Sequence, residues 1–411
     1  MRKTPIILSA LALMALCLVT SCAHHKMMPD DIPIVIDVTA SGSKALIEDP
    51  VDTVRLYKMI SECYDISGNP NANAGFGVFG YKLAQNGSNT KLFDNMRVYP
   101  EPSARPAPTV AVTQVPWVYT PSRYWDPAGS YQFIAYWPYN DNVYSSFDTG
   151  TRSMTVHITN VPNWQEVNNT EKDYMTARRI GTRRYDFAGG IVNLSFEHLL
   201  AQLEIRAYYV GAFKEKDGGV KMKAIMLSES QPGLGDVLSG TDGSDDNESS
   251  EFIQSSEDAH ASVVTSSVDT ATNFLLMRND AGILIPFKDE LTGRFTIFSS
   301  AANDTVESSE GSVRIGRWLM IPRKWKGINI SATYNYKVGD EMTDINPLVD
   351  LANAPKTPTT IGEDNFGYKT QPGKKYIITL MIDTSSGGIS VKQIAVQDWT
   401  EHDVSRIYYN W

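Results

Sequence analysis

Apolar and polar residues alternate near both ends of the chain, and a period of two predicts a β-strand with one buried face. The first alternating set lies near the N-terminus and comprises Ile32, Ile34, Ile36 and Val38. The last set ends the chain and comprises Ile407, Tyr409 and Trp411. Between them, longer apolar runs predict buried core strands at residues 283–286, 317–322 and 376–382.

Three other stretches depart from this strand pattern. Helical spacing predicts one short helix, which carries Leu56, Met59, Ile60 and Cys63. The alternation near the C-terminus slips at residues 392–393, which predicts a β-bulge. Residues 235–260 are rich in Ser, Gly, Asp and Glu, so we expect a loop there.

The length of 411 residues and the strand pattern together predict two β-sandwich domains. Short strands with turn signals between them, and many Tyr, Thr, Val and Ile residues, favour an all-β fold. A glycine-containing joint at residues 187–190 marks the boundary. The predicted organisation is a signal peptide at residues 1–21, an N-terminal domain at 22–188 and a C-terminal domain at 189–411.

The N-terminus has the pattern of a lipoprotein signal peptide. Arg2 and Lys3 precede an apolar run at residues 6–19, and small residues lead to Cys22. The run is shorter than the ~20 residues that a membrane-spanning helix needs. Cleavage before Cys22 would free its amine and leave its sulfur for acylation, and two or more acyl chains give stable membrane anchoring. The alternative is an ordinary signal peptide with a chance cysteine.

Charge and cysteine content exclude some kinds of binding partner and an intrachain disulfide. Removal of Arg2 and Lys3 takes two positive charges from a chain of formal net charge −10, so the mature charge is −12. Such an acidic protein is not expected to bind nucleic acid, or anionic lipid by charge. Cys17 leaves with the signal and Cys22 is the lipidation site, so Cys63 alone remains and no intrachain disulfide is expected.

The sequence contains no convincing catalytic motif. There is no His-Glu-x-x-His, Cys-x-x-Cys or Gly-x-Ser-x-Gly pattern. Ser41 and Lys44 have the spacing of Ser-x-x-Lys, but the companion motifs of the β-lactamases are missing. We interpret His198, which lies in a predicted strand, as a structural histidine. No enzymatic activity, metal site or cofactor is therefore predicted.

Six features follow one another along the mature chain: Cys22 and the segments 76–81 (FGVFGY), 131–138 (YQFIAYWP), 173–177 (DYMTA), 196–203 (FEHLLAQL) and 373–399, which runs from GKKY through ISV to VQDW. In this order they resemble the fimbrillin family, the type V pilins of Bacteroidetes. The resemblance implies two transthyretin-like Greek-key β-sandwiches that assemble by donor-strand exchange. In that family a trypsin-like protease cuts the lipidated precursor after a basic residue and removes the first strand. The C-terminal segment of a neighbour then fills the groove.

On this chain the resemblance implies a removable first strand that contains Ile32, Ile34, Ile36 and Val38. It implies a donor strand that contains Ile407, Tyr409 and Trp411. Lys44, in a Gly/Ser stretch, and Arg55, near the predicted helix, are the candidate cleavage sites. Lys44 departs from the arginine that is usual in the family. Without the resemblance, the sequence favours the alternative that both terminal segments are permanent strands of one subunit.

The predicted function is that of a fimbrial structural subunit that serves cell adhesion. We expect an outer-membrane lipoprotein precursor with a lipid anchor, followed by assembly with other pilin subunits into a fimbrium at the cell surface. Host or bacterial surface ligands are further candidate partners. The alternative is a monomeric surface glycan-binding lipoprotein. The aromatic stretch that holds Trp117, Trp125, Tyr131, Phe133 and Trp137 could stack on sugars, although we expect it to be buried in a sandwich core or at the domain joint.

Overall fold

The structure, a computed structural model, describes residues 32–38, 59, 62–63, 71, 74–84, 86–101, 116–126, 128–167, 171–181, 186–187, 190–211, 219–228, 249–258, 260–264, 273–289, 292, 294–298, 305–307, 311–322, 329–338, 341–345, 348–350 and 370–399. These residues form 25 β-strands, which confirms the all-β prediction. Within the same ranges, no helix is long and apolar enough to cross a membrane.

The strands of the first half of the chain are β1 (Val35–Val38), β2 (Phe76–Leu83), β3 (Asn89–Pro100), β4 (Trp117–Val118), β5 (Ser130–Trp137), β6 (Tyr144–Asp148), β7 (Ser153–Pro162), β8 (Trp164–Glu166), β9 (Met175–Gly181), β10 (Ile191–Leu194), β11 (Glu197–His198) and β12 (Ala201–Val210). Those of the second half are β13 (Val220–Ser228), β14 (Ser249–Ser255), β15 (Ser262–Val264), β16 (Asn273–Ile285), β17 (Phe287–Lys288), β18 (Phe295–Phe298), β19 (Thr305–Glu307), β20 (Val313–Met320), β21 (Asn329–Val338), β22 (Glu341–Ile345), β23 (Leu348–Asp350), β24 (Lys374–Asp383) and β25 (Gly388–Asp398).

A six-stranded sheet with the order β11-β9-β5-β2-β3-β4 has apolar residues on both faces. Its inner strand β2 is buried along its whole length except at Lys82. Gly77 permits close packing here, because a Cβ at this position would lie 2.2 Å from the ring of Tyr136 on β5. One face carries a first core that includes Phe76, and the other carries a second core that includes Phe79.

A four-stranded sheet with the order β15-β14-β7-β6 contributes to the second core through Val156 on β7 and Phe252 on β14. The prediction of a loop at residues 235–260 is therefore wrong for Ser249–Ser255, because these residues form β14, which pairs with β7. The sequence signal was weak because much of the strand is polar. Phe252 is its clear apolar anchor, while Ser250 donates a hydrogen bond to Asn163 (2.7 Å) inside the fold.

A third core includes residues of an eight-stranded sheet and of a five-stranded sheet. The eight-stranded sheet has the order β19-β18-β17-β12-β20-β8, with β24 also paired to β12 and β25 to β24; the five-stranded sheet contains β16, β13, β21, β22 and β23. Trp318 on β20 is fully buried there, and its Nε1–H donates to the carbonyl of Leu276 (2.9 Å). The core strands predicted at 283–286, 317–322 and 376–382 correspond to the end of β16, to β20 and to β24. Burial of Ile285, Trp318 and Ile378 confirms that these segments belong to a core.

The structure also bears on two local predictions. In the β24–β25 pair, Thr379 lies opposite Gln393 and Leu380 opposite Val391, which leaves Lys392 as an extra residue and confirms the bulge. Met59 and Glu62 have helical backbone and Cys63 lies in a turn, whereas Leu56 and Ile60 lie outside the described residues, so the helix stays a prediction. The Cys63 thiol is free and buried, and burial raises its pKa.

Strand pairing joins segments on the two sides of residue 188. β1 pairs with β10, β11 with β9, β14 with β7 and β8 with β20. The division into domains at residues 188 and 189 stays a prediction.

Candidate functional site: the groove that holds the first strand

The first segment, residues 32–38, lies between two backbone segments that are far away in sequence. On one side β1 runs parallel to β10, with Val35 opposite Ile191 and Val38 opposite Leu194. On the other side Pro33 forms an antiparallel bridge with Tyr124. We call the space between β10 and residues 123–125 the groove.

Backbone hydrogen bonds hold the first segment at its second edge. The N–H of Ile34 donates to the carbonyl of Arg123 (2.7 Å), and the N–H of Trp125 donates to the carbonyl of Ile32 (2.9 Å). The hydroxyl of Tyr119 also donates to the carbonyl of Ile34 (2.5 Å). These bonds involve only main-chain atoms of the first segment, so another extended chain could make them with a different sequence.

Side chains of the first segment divide between the core and solvent as the alternation predicts. Ile34, Ile36 and Val38 are 2 %, 1 % and 8 % exposed, whereas Val35 is 44 % exposed. Ile32 is partly buried against the same first core. At ~1.5–3 kcal/mol for each buried side chain, the three fully buried residues contribute about 5–9 kcal/mol. Since a whole domain has a net stability of about 5–15 kcal/mol, the groove needs an occupant.

Aromatic side chains line the first core. Trp125 lies edge-on to Tyr131, with ring centroids 4.7 Å apart, and Phe76 contacts the rings of both Trp117 (5.0 Å) and Phe196 (5.2 Å). The Nε1–H of Trp125 donates to the carbonyl of Gly190 (3.0 Å). This bond connects the two walls of the groove directly, without any atom of the first segment.

The pKa values of two groups at the groove depart from their ordinary values. Burial raises the pKa of Asp37, while the N–H of Val38, which donates to its Oδ1 (2.9 Å), acts in the opposite direction. Burial also raises the pKa of the Tyr119 hydroxyl, so this group stays a hydrogen-bond donor at neutral pH.

The structure thus brings together one set of the predicted site residues and leaves the others undescribed. Ile32, Ile34, Ile36 and Val38 share one groove. The remaining site residues lie outside the described residues; they are Cys22, Lys44, Arg55, Ile407, Tyr409 and Trp411. Their roles in lipidation, processing and donation stay predictions.

Sequence reasoning missed the groove walls. Residues 191–194 fall at the start of the predicted C-terminal domain, and of residues 123–125 the sequence analysis singles out only Trp125, as part of an aromatic stretch. Apolar Val192 and Leu194 alternate in β10, which is a signal for a strand. Nothing in the sequence pattern names β1 as their partner, because period-two alternation carries no information about which strands pair.

The aromatic stretch proposed for sugar stacking is buried. Trp117, Trp125, Tyr131, Phe133 and Trp137 all belong to the first core. The rings of Trp125, Tyr131 and Phe133 pack against one another, and all five side chains are buried, so this stretch does not favour a glycan site.

His198 has the structural environment predicted for it. Its ring is buried, its Nδ1 lies 2.8 Å from Oδ2 of Asp173, and it stacks on Trp399 with ring centroids 4.1 Å apart. The described part of the chain contains no group of three or more His, Cys, Asp or Glu side chains that could hold a metal ion.

Comparisons with known proteins identify the family. A model of the fimbrillin-like family matches residues 66–399, which is most of the chain, so this protein belongs to the fimbrillin-like family. No curated protein sequence matches it significantly. Family membership supports a role as a fimbrial subunit at the cell surface, associated with other pilin subunits, and suggests a structural rather than an enzymatic protein.

Two solved structures are similar to this chain at low sequence identity, and the first of them shows the fold. A fimbrial protein from Bacteroides vulgatus is 16% identical, with 90% of this chain and 99% of that chain covered and a TM-score of 0.50. A proposed cell adhesion protein from Bacteroides uniformis is 13% identical, with 91% and 100% covered and a TM-score of 0.42.

Proposed function

We propose that this protein is a fimbrial structural subunit that is exported as a lipoprotein through Cys22, loses its first strand by proteolysis and polymerises by donor-strand exchange in the service of cell adhesion. One observation carries the proposal. The first segment fills an apolar groove with alternate side chains and is held there through its main chain. A strand bound in this way can be replaced by another strand of similar pattern.

The groove walls support replacement rather than collapse. The Trp125 indole bonds directly to Gly190 across the groove, so loss of the first segment leaves this link intact. Removal would expose the apolar side chains that Ile34 and Ile36 now cover, and it would open the edge of β10. Exposed apolar surface and an unpaired edge both favour capture of a new strand.

The C-terminal segment has the pattern that the donor requires. Ile407, Tyr409 and Trp411 alternate at the end of the chain, like the residues that they would replace. At ~3.3 Å per residue, side chains two positions apart reach successive pockets of one face. We infer that the last strand of one subunit occupies the groove of the next.

Truncation after Asp403 tests this proposal. The truncated precursor should fold as a monomer, because its own first segment still fills the groove, and it should form no polymer after limited trypsin treatment. The full chain, treated in parallel, should give a ladder of oligomers in gels run without boiling. Polymers from the truncated chain would mean that another segment donates. An unfolded truncated monomer would make the last strand part of its own subunit.

A further inference from the structure

The first segment and the end of the chain share more than alternation. Residues 34–38 read IVIDV, and residues 407–411 read IYYNW. Both begin with isoleucine, and both carry a side chain of the same shape at the fourth position, Asp37 in one and Asn410 in the other. At that position the two segments therefore differ by a negative charge and by little else.

Asp37 brings this charge to a place in the groove that has no counter-ion. Its neighbour across the parallel ladder is the neutral Asn193. Among the described residues Asp37 forms no ion pair, and the one hydrogen bond of its side chain comes from the N–H of Val38 (2.9 Å). Burial raises the pKa of Asp37, which means that the groove disfavours the ionised form. An amide at the same position avoids this cost.

Main-chain contacts of the groove favour one direction for an incoming strand. Position 34 donates its N–H to the carbonyl of Arg123 and position 32 accepts from the N–H of Trp125, so the occupant must cover both positions. A strand parallel to β10 with Ile407 at position 34 continues through residue 405 to position 32. In the opposite direction, a strand with Trp411 at position 34 ends there. With Trp411 moved to position 32, the polar Ser405 comes to the buried position 38.

The parallel alignment also distributes polar and apolar side chains as the groove requires. Ile407, Tyr409 and Trp411 come to positions 34, 36 and 38, which are buried. Arg406 and Tyr408 come to positions 33 and 35, which are exposed. The largest ring, that of Trp411, lies at position 38, which is the least buried of the three inward positions.

We propose that residues 407–411 of a second copy of this chain enter the groove parallel to β10, residue for residue in the place of residues 34–38, so that Asn410 replaces Asp37. This inference rests on the proposed exchange of strands and adds its register and its direction. The replacement removes an uncompensated charge from a partly buried position, which gives the donor an electrostatic advantage over the strand that it displaces. The exchange thereby has a preferred sense, from the subunit's own strand to that of its neighbour.

Disulfide cross-linking of assembled fimbriae tests the register. Asn193 lies opposite position 37, and neighbouring strands lie about 4.8 Å apart, within the range that a disulfide spans. A subunit with both Asn193→Cys and Asn410→Cys should therefore form a disulfide with each neighbour. Boiled samples in non-reducing gels should keep a ladder that a reductant collapses to monomer. The matched control, Asn193→Cys with Tyr408→Cys, should keep none, and each single variant controls for the buried Cys63.

The outcomes separate the register from the exchange itself. Fimbriae that form without a link between positions 193 and 410 would overturn the register and leave strand exchange standing. A ladder from the control with Tyr408→Cys would overturn the direction. Failure of the unmodified chain to polymerise after cleavage would overturn both the exchange and its register.

A charge variant tests the role of Asn410. Asn410→Asp restores the carboxylate, so its polymers should dissociate several-fold faster in detergent at pH 7 than those of the unmodified chain. Asn410→Ser changes the side chain without adding a charge, and its polymers should dissociate at nearly the unmodified rate. Equal acceleration in the two variants would overturn the argument that the loss of charge favours the donor.

Discussion

Asp37 is the only charged residue of the first segment, and its partial burial links the occupancy of the groove to pH. Its side chain belongs to the set that alternates with the buried Ile36 and Val38, and it lies opposite Asn193. Burial raises the pKa of Asp37 in the folded state. The contribution of Asp37 to stability is therefore fully present at pH values below its pKa in the unfolded chain. It is lost as the pH rises through the pKa of Asp37 in the folded protein.

We predict that Asp37→Asn stabilises the protein at pH 7 and has little effect near pH 3, below the ordinary Asp pKa of about 3.9. The free energy of unfolding in urea at both pH values measures this. Asp148→Asn should instead lower the free energy of unfolding at pH 7, because backbone N–H groups of Gly150 and Thr151 lower the pKa of Asp148 and favour its ionised form. An Asp37→Asn effect of equal size at both pH values would contradict the argument.

A buried ion pair in the eight-stranded sheet gives a second prediction for single residues. Nζ of Lys375 lies 2.9 Å from Oε2 of Glu204, and Nη1 of Arg206 lies 3.0 Å from Oε1. Lys375→Met removes one partner of a buried carboxylate, so we expect a loss of about 3 kcal/mol, the lower end of the range for such pairs because Arg206 remains. Urea unfolding measures it. Lys91→Met breaks the exposed pair with Asp94 and should cost at most about 1 kcal/mol.

At the scale of elements, the sequence predicted which strands exist better than it predicted how they pair. Alternation at residues 32–38 predicted the buried face that the structure shows, because that pattern depends on local geometry alone. The parallel partner of β1 lies at residues 191–194, and such a long-range pairing leaves no mark in a single sequence. β14 was missed for a related reason, since Phe252 is the only side chain of that strand in the second core.

The two faces of β1 give a prediction with a control in the same strand. Ile36→Ala should lower the free energy of unfolding by about 2–5 kcal/mol, because it leaves a cavity in the first core. Val35→Ala changes the exposed face of the same strand and should alter stability by no more than about 0.5 kcal/mol. Urea unfolding followed by tryptophan fluorescence compares the two. Similar losses from both substitutions would show that the first segment does not bury one face in solution.

At the scale of the whole molecule, the proposed route from precursor to fimbria requires two chemical events at residues outside the described structure. Acylation of Cys22 would hold the precursor at the membrane, and cleavage after Lys44 or Arg55 would release the first segment. The groove supplies the physical reason for this order. When its own first strand occupies the groove, the subunit hides an apolar surface. If this surface were exposed, the subunit would aggregate before export is complete.

We predict that Cys22→Ala abolishes lipidation, because the acyl chain attaches to the cysteine sulfur. Metabolic labelling with a fatty-acid analogue, followed by gel fluorescence, measures incorporation. Cys63→Ala is the matched control, since Cys63 is buried and should not be acylated. Equal labelling of the Cys22→Ala variant and the unmodified chain would rule out this anchor.

Cleavage leaves a record at the new N-terminus, which decides between the two processing sites. We predict that assembled subunits begin at Ala45, because Lys44 follows a Gly/Ser stretch that a protease can bind in extended form, whereas the sequence places Arg55 near the predicted helix. N-terminal sequencing of purified fimbriae measures this directly. A start at Leu56 would assign cleavage to Arg55. Subunits that still begin at Cys22 would retain the segment 32–38 in their own groove, and donor-strand exchange at that groove would be excluded.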